Sequence, residues 1–322
     1  MKSVTFLFFG LLIGLWPSAA YPKKAQPHGN PGENTALRVK VFLDNANFGP
    51  GAIDGQGGDF TKKAIIRYQR ANGLPPNGDP GSLPVSRAPV LVEYRVTAAD
   101  AEQIGSAPKK PAEQAKQSRL PYASVIELLA EKFHSTQEFL RRLNPQLKGR
   151  DARPGDVLRV PNVKPFDIAR VEAKQTEEEA PSAPERSSGP WVDINVAEKV
   201  LEVKEGDRTV AEFPITPGST TLPAPKGQWH VQSINYMPIF RYDKEMLFHG
   251  RRGASGIATP RGPNSKVGVV WMSLNKKGVG IHGTDEPETI GRTTSHGCIR
   301  LANWDVVKLA GMIQPGARVV IR

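Results

Sequence analysis

This 322-residue chain has one cysteine, Cys298, and so closes no internal disulfide. In a chain that leaves the cytoplasm, a lone thiol is inert, intermolecular or reactive. Long apolar runs are also missing. Val4 to Trp16 is roughly thirteen residues, short of the about twenty a bilayer span requires. Nor is there a dense basic run interleaved with aromatics, which argues against nucleic acid as a partner.

The short apolar run instead reads as an export signal over residues 1–20. Lys2 supplies the positive start, and Ser18-Ala19-Ala20 supply small residues for cleavage before Tyr21. An uncleaved anchor is the other reading of this segment. No cysteine follows the cleavage site, so a lipid-modified cysteine is not expected there. After cleavage no stable membrane span is expected. The formal net charge of +11 suits contact with acidic polymers or anionic lipid, or else a solvated basic surface that aids solubility.

The length predicts two or three domains, and punctuation divides the chain accordingly. Residues 21–34, rich in Pro, Gly and Lys, read as a flexible leader. Leu37 and Val41, then Ala64, Ile65, Tyr68 and Gln69, fall at helical spacing on either side of Phe48-Gly49-Pro50-Gly51-Ala52-Ile53-Asp54-Gly55. The glycines of that turn tolerate positive φ. Further on, Tyr94-Arg95-Val96 reads as a strand, Ser124–Lys132 and Thr136–Leu143 as helices, and Val157–Val160 as a closing strand. An acidic, Pro/Ser-rich linker follows over 172–189, with reach as its expected task, so that the last domain moves relative to the front modules.

From Trp191 the pattern becomes short alternating strands: 191–195, 200–203, 209–215, 227–234 and 267–274. A helix over Asn303–Ile313, with Asn303 as its N-cap, and a final strand over Ala317–Ile321 complete the chain. The segment Tyr236–Arg261 is either a mobile lid or a plain surface excursion.

The chemistry-bearing residues lie close together in sequence. Ile281-His282-Gly283-Thr284 precedes Ile290-Gly291-Arg292, Ser295-His296-Gly297-Cys298-Ile299-Arg300-Leu301 and Asn303-Trp304-Asp305. A thiol beside an imidazole suits covalent acyl transfer, because thiolate is a strong nucleophile and imidazole takes its proton. Zinc is the rival use of His282, His296 and Cys298, but a fourth ligand at finger-like spacing is lacking.

With those motifs, together with Pro225-Lys226-Gly227 and Gly262-Pro263-Asn264, residues 190–322 resemble the YkuD-type L,D-transpeptidase catalytic domain. Residues 36–85 resemble a small α-helical peptidoglycan-binding domain. Residues 90–163 resemble a βααβ LysM domain, through Leu143-Asn144-Pro145 and Arg153-Pro154-Gly155-Asp156, with a polar insertion at roughly 99–119.

The expectation is therefore a multidomain wall enzyme ending in a mainly β, β-sandwich catalytic domain. The resemblance implies Cys298 as nucleophile, His282 as base and the carbonyl of Gly283 as the group that orients the imidazole. Asp285 and Asp305 are the carboxylate alternatives for that orienting role. Gly297 and Cys298 N–H groups would face the oxyanion. His296 either lines the pocket or holds the loop, and Arg300, Ser295 and Thr284 would contact substrate. No cofactor or metal is implied. The implied partners are peptidoglycan stem peptides and glycan strands, with no nucleic acid, met in the periplasm or cell wall. The implied product is a 3-3 cross-link; hydrolysis, attachment of a wall protein, or a non-catalytic wall-binding scaffold are the alternatives.

Overall fold

The computed structural model describes residues 31–175, 184–185, 188–249, 251 and 253–322; the expected export signal and most of the expected linker lie outside the described residues. Two helices form the first unit, α1 (Pro31–Asn45) and α2 (Asp59–Ala71). On α2 the buried residues Thr61, Ala64, Ile65 and Gln69 recur at three- and four-residue intervals, the stripe that seats a helix on a core. Tyr68 meets Phe42 and Phe48 edge-on, with ring centroids 5.1 and 5.2 Å away.

Helix α1 buries two faces. Val39 and Leu43 enter the small core shared with α2, whereas Leu37 and Val41, the pair legible as a helical stripe, join the large core that runs through the rest of the molecule.

The second unit pairs β1 (Leu91–Arg95) antiparallel with β2 (Val157–Pro161), in register from Leu91↔Pro161 to Arg95↔Val157. Between them lie α3 (Ala98–Glu102), α4 (Pro111–Gln114), α5 (Val125–Lys132) and α6 (Gln137–Leu143). Ser124 and Thr136 hydroxyls accept the N–H groups of Glu127 and Phe139, which fixes where α5 and α6 begin. The polar insertion supplies α3 and α4 and then crosses to the last unit, where Leu120 N–H donates to Arg261 O at 2.7 Å. Helix α7 (Ile168–Glu172) follows, burying Ile168 and Val171 and ending where the linker was expected to begin.

The third unit carries β3 (Trp191–Asn195), β4 (Val200–Glu205), β5 (Arg208–Pro214), β6 (Gly227–Tyr236), β7 (Phe240–Tyr242), α8 (Lys244–His249) and β8 (Ile257–Thr259). After them come β9 (Val270–Leu274), β10 (Gly280–His282), β11 (Ile299–Arg300), α9 (Asn303–Met312) and β12 (Arg318–Ile321). The expected sandwich is realised as one hydrogen-bonded sheet of eight strands in the order β11-β10-β9-β6-β12-β3-β4-β5, with β7–β8 as a separate ribbon. Strand alternation decides the sides: Val192 and Ile194 of β3, and Val270, Met272 and Leu274 of β9, are buried.

Asn303 is not the cap of α9. Ala302 holds that position, and the Asn303 carboxamide turns inward, wholly buried.

The three units are joined by buried polar contacts. The turn at residues 47–49 extends the edge of β5, with Gly49 N–H donating to Glu212 O and Glu212 N–H to Asn47 O, both at 2.8 Å. Asp44 of α1 accepts from His134 at 2.9 Å and from Lys308 of α9 at 2.9 Å, while His134 stacks on Trp304 at 5.3 Å. These contacts overturn the expectation that the linker lets the last unit swing freely, since separating the units would strand buried charge.

Candidate active site

Residue pairing sets the geometry. Strands β10 and β11 run parallel, with Ile281 opposite Ile299 and His282 opposite Arg300. Both isoleucines are fully buried, so His282, Arg300 and the preceding Cys298 belong to the opposite faces of their strands. Adjacent strands lie about 4.8 Å apart and two residues span about 6.6 Å, which sets the backbone positions of Cys298 and His282 diagonally across the strand pair, roughly 8 Å apart.

His282 is 5% exposed and stacks on Trp271, its cross-strand partner on β9, at a centroid distance of 5.2 Å. Its Nδ1 lies 2.7 Å from Gly283 O. A carbonyl only accepts, so Nδ1 carries the proton and Nε2 is left as the basic nitrogen. Burial, reinforced by the positive charge of Arg300, lowers the imidazole pKa to about 3, against the bond to Gly283. The ring is neutral at physiological pH.

Cys298 is partly buried, and its Sγ lies 3.7 Å from Gly278 O. Burial pushes the thiol pKa up, while the Gly280 N–H and Arg300 pull it back. The resting pair is thus thiol and neutral imidazole rather than an ion pair.

Glycines around the site have steric causes. Gly297 adopts φ +101°, a left-handed region that side chains rarely enter, although a Cβ there would meet nothing closer than 3.8 Å. At Gly283 the reason is space, because a Cβ would collide with Asn303 Oδ1.

The remaining expected residues divide by position. Thr284 and Ser295, expected as substrate contacts, are each 2% exposed. The Thr284 hydroxyl accepts from Glu286 N–H, and the Ser295 hydroxyl donates to Cys298 O, so both brace the loops that carry the reactive groups. Arg300 is partly exposed, with its backbone tied in both directions to Thr216. His296 is exposed, and burial of its ring edge together with Arg300 lowers its pKa. Asp285 pairs with Lys266 at 2.7 Å, and Asp305 lies in the field of Lys308 and Asp44, so neither carboxylate orients His282. Among the described residues, no group of three or more His, Cys, Asp or Glu is placed to hold a metal ion.

Gly262-Pro263-Asn264 lies at the junction between the second and third units. It is covered by the second unit, where Asn264 Nδ2 donates to Pro121 O at 2.7 Å and Gly262 abuts the Leu120 carbonyl. The segment between β6 and β9 carries β7, α8 and β8, and Met246 of α8 rests on Gly278, the residue whose carbonyl faces Cys298. Two contacts escaped the sequence: Trp271 under the imidazole, and the Asn303 carboxamide against the turn at 283–284. The first had a signal in the alternation of β9; the second had none.

Residues 189–321 match the family model described as YkuD, the L,D-transpeptidase catalytic domain. Residues 29–83 match that of the "Putative peptidoglycan binding domain". The chain therefore carries an L,D-transpeptidase catalytic domain behind a peptidoglycan-binding domain.

Among named relatives, it is 29% identical over 197 residues to "Putative L,D-transpeptidase YkuD" of Bacillus licheniformis, covering 61% of this chain and 93% of that protein. It is 29% identical over 142 residues to the protein of the same name in Bacillus subtilis, covering 44% and 71%. A crystal structure of an L,D-transpeptidase from Stackebrandtia nassauensis aligns over 94% of this chain and 97% of that one, at 15% identity and a TM-score of 0.34.

Proposed function

We propose that this chain is an exported wall enzyme that cleaves peptidoglycan tetrapeptide stems through a thioester on Cys298 and passes the acyl group to an amine of a neighbouring stem, forming 3-3 cross-links. The thiol sulfur attacks the carbonyl carbon of the third stem residue, and its proton moves to His282 Nε2. The C–N bond to the terminal D-residue then breaks as that proton passes to the leaving amine. An acceptor amine attacks the thioester, loses a proton to His282 and restores the thiol. N–H groups of Gly297 and Cys298 take the oxyanion, and Arg300 attracts a stem carboxylate. His296, exposed beside Arg300, lines the approach.

The observation that carries this reading is the Nδ1 bond of His282 to Gly283 O, which leaves Nε2 unprotonated on the strand paired with β11, the strand that the lone thiol immediately precedes. The peptidoglycan-binding unit supports a polymeric wall substrate. The antiparallel β1–β2 pair flanking α5 and α6 supports a LysM-like, glycan-holding second unit.

Purified full-length chain incubated with tetrapeptide muropeptides, with products followed by mass, tests the reading. Cross-linked dimer, absent with Cys298→Ala, is expected. Trimmed monomer alone would point to hydrolysis, and full activity in Cys298→Ala would sink the thioester route.

A further inference from the structure

Behind the imidazole lies a buried polar connection that begins in a different unit. Glu131 of α5 is 6% exposed, and its Oε1 accepts from Tyr122 Oη at 2.7 Å. Its two oxygens lie 3.1 and 3.2 Å from Asn303 Nδ2. On the other side of the same carboxamide, Oδ1 accepts N–H groups from Val269 and Thr284, each at 3.2 Å. That oxygen fills the space over Gly268 and Gly283 that any Cβ would claim.

We infer that Glu131, contributed by α5 of the second unit, is a positioning residue for His282, acting through Asn303. This rests on the reading of His282 as the base. A carboxamide has one accepting and one donating end, and the Glu131 oxygens at 3.1 and 3.2 Å, with the Pro263 carbonyl at 3.4 Å, hold its donating end towards them. With Nδ2 held there, Oδ1 must face the turn at 283–284, whose Gly283 carbonyl fixes the proton on Nδ1 of His282. Both donors reach Glu131 Oε1, so the acceptor is present whether or not the carboxyl is ionised. The second unit thereby helps to position a group of the proposed site.

The test uses the full chain with two readouts: muropeptide transfer kinetics, and the imidazole 15N resonances of His282, which report the tautomer. Glu131→Met should lower kcat tenfold or more with KM within about twofold, and should mix the tautomers. Glu131→Gln, which keeps an oxygen for both donors, should retain at least half of wild-type kcat and the Nδ1–H signal.

A swap gives an independent measure, and it decides should Glu131→Met not fold. Asn303→Asp sets two carboxyls face to face and should lose tenfold or more. Adding Glu131→Gln restores a donor opposite an acceptor and should recover at least fivefold. Folded Glu131→Met with wild-type kcat and tautomer, Glu131→Gln as impaired as Glu131→Met, or no recovery in the swap each overturns the inference. Inactive wild type, or active Cys298→Ala, would sink the reading of the site, while the His282 resonances would still judge Glu131.

Discussion

His282 donates from Nδ1 to the carbonyl of Gly283, the very next residue, at 2.7 Å. A single turn of backbone thus does what a carboxylate does in many nucleophile-base pairs, and without a negative charge on the imidazole. Burial lowers the imidazole pKa, with Arg300 adding to the effect, and burial raises the thiol pKa against the Gly280 N–H and Arg300. In the proposed thioester route, the proton therefore leaves sulfur as the bond to carbon forms, instead of beforehand.

Thiol reactivity should therefore rise with pH. Iodoacetamide alkylation of Cys298 is expected to be slow at pH 7 and to accelerate through pH 9, with no neutral plateau, because burial favours the protonated thiol. Arg300 pulls the thiol pKa down, so Arg300→Met should slow alkylation at pH 8 by severalfold. A plateau between pH 5 and 7 would mean an ion pair and would contradict this account.

The glycines next to the reactive groups should fail for different reasons. In Gly283→Ala the new methyl meets Asn303 Oδ1, and overpacking costs about 1–3 kcal/mol. Transfer should fall more than tenfold as the His282 turn shifts. Gly297→Ala has room but needs a left-handed backbone, a cost of about 1–2 kcal/mol. Urea denaturation of both variants measures the costs, and transfer kinetics measure the displacement.

Lys308→Met should destabilise the whole chain. It removes one cation from buried Asp44, whose carboxyl is driven up by burial but held well below the usual range by His134 and Lys308. Breaking such a pair costs about 3–5 kcal/mol, and the low end is expected because His134 still bonds Asp44. The measurement is the urea midpoint; an unchanged midpoint would show that the units do not depend on this junction.

Stability should decline from pH 6.5 to pH 8.5. Burial raises the pKa of Glu131 and of Glu212 to about 8, and that of Asp305 to about 7. The folded chain then keeps protons that the unfolded chain has released, a contribution complete below the unfolded values and lost as pH rises through the folded ones. On the acid side, His282 stays neutral down to about 3 while its unfolded form protonates below 6.5, so its contribution is lost as pH falls below 6.5. Thermal unfolding followed from pH 5 to 9 should show the alkaline decline, and Glu212→Gln should flatten it. A melting temperature that climbs towards pH 8.5 would refute the assignment.

How much was legible follows from distance along the chain. Strands β3 and β4 and helices α5 and α6 were readable because periodicity and caps are local. The Gly283 carbonyl was readable because it adjoins His282. Asn303 misled, since an asparagine at a helix start is ordinarily a cap, and only packing against Glu131, Val269 and Thr284 turns it inward. The burial of Ser295 and Thr284 was not legible, because motif proximity carries no information about which side chains end up buried.

Sequence alone determined the reactive set, a lone thiol, an imidazole and the glycines their turns require, since these are properties of residue type and local backbone. Tertiary structure decided the proton's place on His282, the neutral state of the pair and the fusion of three units through Asp44, His134, Lys308, Glu131 and Asn303. Those depend on burial and on partners up to 264 residues apart, and desolvation is a property of the packed molecule, absent from any stretch of chain.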